Sequence, residues 1–112
     1  MNPNKFQALL LGADHQLAEA LLPAARLDGG TLGVVANFTE ALRFLQNHPV
    51  DIVFLDLKSA EADSLKLLRQ LKLDPLPSPV LTVGLEPSDG PPAALRAFDF
   101  GLNEHVQTPF EE

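Results

Sequence analysis

Carboxylates dominate the reactive side chains of this chain: 15 Asp and Glu stand against 8 Lys and Arg, 3 His and no Cys. One acid is singled out by its position. Val50-Asp51-Ile52-Val53-Phe54-Leu55 is apolar at five of its six positions, three of them β-branched, and Asp56 closes the run. Such a run reads as a strand buried on both faces. In open α/β sheets, chemistry collects beyond the carboxyl ends of the strands, so Asp56 is placed where a site belongs. A carboxylate there has two uses. It is a nucleophile or metal ligand, or it is an acceptor that caps the loop leaving the strand.

The other reactive groups form no constellation. His15, His48 and His105 fall at a helix start, in a loop and in a strand, with neither metal-ligand spacing nor a serine to activate. Gly12-Ala13-Asp14 lacks the glycine spacing of a phosphate-cradling turn. Without cysteine there is no disulfide framework, thiolate metal site or thiol nucleophile. No catalytic set emerges, and the chain is not expected to be an enzyme.

The formal charge is −7, and the bases Lys5, Arg26, Arg43, Lys58, Lys66, Arg69, Lys72 and Arg96 are scattered along the sequence. Nucleic acid and anionic membrane are therefore poor partners. Neither a basic-then-apolar leader nor a long apolar span is present, so a cytoplasmic location is expected. The 112 residues suit one domain, 1–112.

The elements that must position Asp56 follow in order. Phe6 to Leu11 is a strand ending at Gly12, and Asp14 caps a helix with Leu17, Ala20, Leu21 and Ala24 on one face. Pro23 predicts a kink or early end before Asp28-Gly29-Gly30. Leu32 to Ala36 is a second strand. Asn37 with Glu40 has capping-box spacing for a helix from Phe38 to Gln46, which buries Ala41, Leu42 and Leu45 and ends at Asn47-His48-Pro49. After Asp56, Asp63-Ser64 is expected to cap a helix from Leu65 to Leu73 with Leu65, Leu68 and Leu71, or Leu67 and Leu71, facing inward. Pro79 to Val83 is a fourth strand ending at Gly84. Pro91-Pro92 open a short helix running to about Phe100 and capped by Gly101, and Glu104 to Gln107 is the fifth strand. Strands alternating with helices give a parallel sheet with helices on both faces.

This pattern resembles the receiver domain of two-component response regulators. The likeness rests on the buried strand ending in Asp56 with Asp63 and Leu65 downstream, and on Gly101-Leu-Asn-Glu-His-Val-Gln-Thr-Pro-Phe110, which is similar to the family's closing motif. The resemblance implies a flavodoxin-like α/β fold with a five-stranded parallel sheet in the order 2-1-3-4-5. It also implies that Asp56 occupies the phosphoacceptor position. The family's acid pair for Mg²⁺ falls on Gly12 and Ala13, its hydroxyl on Gly84 and its lysine on Thr108, so the pocket departs from the family at Gly12, Ala13, Gly84 and Thr108. Asp14, Lys58 and Thr82 are neighbours that could substitute, read respectively as a helix cap, a solvated loop lysine and a packing threonine.

The resemblance therefore points to an atypical pseudo-receiver with no cofactor, weak or absent Mg²⁺ binding and a protein partner or output domain. The alternative is a working receiver phosphorylated on Asp56 by a histidine kinase. Restoring acids, hydroxyl and lysine at the departing positions is expected to recover Mg²⁺ binding. Because the sequence stops soon after Pro109-Phe110, the family's fifth helix is expected to be missing. The flank it leaves is expected to form a homodimer through Leu95, Phe98, Phe100, His105 and Val106.

Overall fold

The computed structural model describes residues 6–12, 15–26, 29–87 and 101–108. Five strands, β1 (Gln7–Leu11), β2 (Thr31–Val35), β3 (Ile52–Asp56), β4 (Leu81–Pro87) and β5 (Glu104–Thr108), form one parallel sheet in the order β2-β1-β3-β4-β5. The described helices are α1 (His15–Ala25), α2 (Phe38–Asn47) and α3 (Glu61–Leu73). The strand order, and the alternation of strands and helices as far as β4, are those expected from the sequence.

Each sheet face carries its own core. Leu9, Leu11, Val53 and Leu55 pack on one face with Ala41 and Leu45 of α2 and Leu67 and Leu68 of α3. On the other face Leu10, Val83 and Leu85 pack with Leu17 and Leu21 of α1. β1 is buried along Ala8 to Leu11 because helices cover both of its sides. This leaves the carboxyl ends of β1 and β3 in register at the top of the sheet, with Leu11 beside Leu55 and Asp56 one residue beyond.

Several boundaries differ from those expected. The face of α1 is Leu17, Leu21 and Ala25, whereas Ala20 and Ala24 are exposed. Pro23 does not end the helix. It is exposed in the last turn, where its missing donor costs one bond to a solvent-facing carbonyl. Asn37 caps α2 as expected, its Oδ1 accepting from Glu40 N at 2.9 Å, but the Glu40 carboxylate accepts from Ala36 N instead of the cap residue. Leu42 is only partly buried.

α3 starts at Glu61, not Leu65. Ala60 is its N-cap without any side-chain bond, and Ala60 N donates to Asp56 O at 2.9 Å, so the loop after β3 sets the helix entry. Asp63-Ser64 thus lies inside the first turns, with Ser64 fully buried. β4 runs through Gly84 to Pro87 because Leu85, at 0% exposure, pairs with both Asp56 and Val106. Gly101 has φ 107°, but the helix it was expected to cap, with Leu95, Phe98 and Phe100, lies outside the described residues.

Candidate functional site

Asp56 ends β3 with 2% exposure. Its carboxylate is held by the loop that follows it. Oδ1 accepts from Lys58 N at 3.0 Å and Ser59 N at 3.2 Å, and Oδ2 accepts from Ser59 Oγ at 2.5 Å. The backbone closes the same turn, with Ala60 N donating to Asp56 O at 2.9 Å, and Leu57 N ties its start to β4 by donating to Leu85 O at 2.8 Å. These charge-assisted bonds solve two problems together, because they solvate a buried anion and fix the entry to α3. These are the bonds of a carboxylate that caps its own loop.

At Gly12 and Gly84 the space beside the backbone is filled. Gly12 N donates to Val35 O at 2.9 Å, and its backbone lies so close to Asp56 that a Cβ there would stand 2.6 Å from Asp56 Cβ and 3.1 Å from Oδ2. A side chain restored at Gly12 would therefore require Asp56 or the Gly12 backbone to shift. At Gly84 a Cβ would meet Leu57 Cδ1 at 2.8 Å and Leu102 Cδ2 at 3.0 Å. Leu57 and Leu102 are both buried, so two apolar side chains close the space beside the family's hydroxyl position. Ala13, Asp14, Pro109 and Phe110 lie outside the described residues. Thr108 pairs with Pro87 at the end of β5, and as a threonine it brings no ammonium.

The candidate substitutes are occupied otherwise. The Lys58 side chain is exposed, and the residue reaches Asp56 through its backbone N–H. Thr82 is buried one strand over, where its N and Oγ1 donate to Asn103 Oδ1 at 2.9 and 3.0 Å and its Oγ1 accepts from Asn103 N at 3.1 Å. That clamp joins the start of β4 to the approach of β5, a structural use. His15 and His48 are exposed at opposite places in the chain, and His105 enters β5 with its backbone opposite Gly84, its side chain lying outside what is described. His48 stacks on Phe44 at 4.2 Å between ring centroids.

Among the described residues no cluster of three His, Asp or Glu is placed to hold a metal ion. Asp56 has no second carboxylate at Gly12, and the glycine backbone takes the room one would need. The described residues therefore do not fit the Mg²⁺ that the fold family implies. Sequence reasoning did not reach Ser59. Its signal is the Asp-x-x-Ser spacing after a strand, the pattern of a local side-chain cap.

No protein-family model matches the chain, and no curated protein sequence matches it. Solved structures do match. The receiver domain of the TMAO respiratory system response regulator TorR superposes with a TM-score of 0.78 at 20% identity, covering 95% of this chain and 86% of that one. A response regulator from Thermotoga maritima gives 0.78 at 20% identity, with 96% and 87% covered. The signal receiver domain of a histidine kinase from Syntrophus aciditrophicus gives 0.76 at 24% identity, with 95% and 80% covered. The fold is the flavodoxin-like receiver fold.

Proposed function

We propose that this domain is an atypical receiver that acts through protein contacts without phosphorylation and without catalysis of its own. The observation that carries the reading is the Asp56 carboxylate, 2% exposed and held by three donors from its own loop. To attack a phosphoryl group, Asp56 would have to use an oxygen already hydrogen-bonded to its own loop, and the developing charge needs cationic or metal stabilisation. Among the described residues no ammonium reaches the carboxylate and no metal cluster adjoins it. A protein partner or output domain is the natural target of such a module, and the −7 charge disfavours nucleic acid and anionic membrane.

No helix among the described residues is long and apolar enough to cross a membrane, and we place the domain in the cytoplasm. A two-fold homodimer is the finer part of the proposal. Support comes from β4 and β5, where Leu81 at 46% and Val106 at 40% exposure lie on the face that also carries Val83 and Leu85. Sedimentation at micromolar concentration is expected to find a dimer that Val106→Glu dissociates. A monomer unaffected by that change would remove the dimer from the account.

Incubation with acetyl phosphate and millimolar Mg²⁺, read by intact mass, tests the main reading. The mass is expected to stay unchanged. Stoichiometric phosphoryl addition that disappears in Asp56→Asn would establish a working receiver instead.

A further inference from the structure

Three of the eight bases of the chain fall on α3. From Ser64 to Leu73 this helix carries Lys66, Arg69 and Lys72 and no acid, in a chain whose acids number 15 against 8 bases. The acids of α3, Glu61 and Asp63, sit in its first turn. Three-residue steps place Lys66, Arg69 and Lys72 within about 120° of the helix surface. All three are exposed, and none forms an ion pair among the described residues.

Leu73 lies seven residues beyond Lys66, nearly in line with it, and is 73% exposed. Lys66 also reaches over the Phe38 ring of α2 at 4.8 Å, which extends the patch to the neighbouring helix. The exposed face of α3 from Lys66 to Leu73 thus carries one sign of charge with an exposed leucine among the cations. Three unpaired cations around an exposed apolar side chain match an acidic surface with an apolar contact at its centre.

We propose that the outer face of α3 docks an acidic, amphipathic protein segment through Lys66, Arg69, Lys72 and Leu73. This names the chemistry of the partner and rests on the reading of the domain as an interaction module. A nucleic acid is the disfavoured occupant, since the whole chain repels it and Leu73 gives it nothing to stack on.

The test uses the full chain, ¹⁵N-labelled, titrated with a synthetic helical peptide bearing Glu along one stripe and Leu beside it. Amide shifts are expected on α3 and at Phe38, with affinity falling about tenfold between low and moderate salt as the charges are screened. Lys66→Glu with Arg69→Glu should abolish the shifts, and the milder Lys66→Gln with Arg69→Gln should weaken binding severalfold while retaining the fold. Shifts elsewhere, no binding, equal binding of a peptide with Ser in place of Leu, or preference for a short DNA duplex would each overturn the proposal. The Asp56→Asn chain separates the two readings. Binding retained there, alongside phosphorylation of the parent, would leave the α3 surface standing and remove the phosphorylation-independent account.

Discussion

Ser59 donates its hydroxyl to a carboxylate that has left water, so it is worth more than an ordinary surface hydroxyl. Removing it by Ser59→Ala is expected to cost about 1.5 to 3 kcal/mol in urea unfolding, the range for bonds to charged groups. Asp56→Asn should cost less than about 1 kcal/mol, because Oδ1 keeps both backbone donors and the Ser59 hydroxyl can turn to accept. Gly12→Ala should cost about 1 to 3 kcal/mol, since its Cβ would press on Asp56 Cβ, which cannot move aside like the end of a long side chain. The position of Asp56 was legible from the apolar run that precedes it. Its bonding was not, because Ser59 meets it only once the chain has turned, and that turn leaves no hydrophobic period to read.

Among the elements, α3 and β4 show why local signals misled. Asp63-Ser64 looks like a cap, yet Ala60 N is already tied to Asp56 O and the helix begins there. Ser64 is left fully buried with its Oγ unpartnered among the described atoms. Ser64→Ala is therefore expected to raise stability by about 1 kcal/mol, removing an unmet hydroxyl and improving helix propensity together. A drop in the urea midpoint would show that the hydroxyl has a partner. In β4 the glycine and the polar Glu86-Pro87 read as a loop, and only pairing on both sides of Leu85 extends the strand. Gly84→Thr should destabilise by about 1 to 3 kcal/mol as Leu57 and Leu102 are pushed outward.

For the whole molecule, the sequence carried the topology well, because alternation of apolar strands and helical faces leaves few ways to build a parallel sheet. It did not carry surface organisation. Lys66, Arg69 and Lys72 stand three residues apart in the sequence, but their shared exposure depends on which side of α3 is buried by Leu67 and Leu68. All three scales meet in the proposal of a receiver fold whose central acid serves as a structural part of its own loop.

Urea unfolding of Asp56→Ala, compared with the parent, tests that claim most directly. If the carboxylate caps its own loop, truncation strands two backbone donors and a hydroxyl at a buried site and should lower stability by at least about 2 kcal/mol. A residue held for chemistry is commonly kept at a cost to stability. An Asp56→Ala protein as stable as the parent, or more stable, would contradict the account.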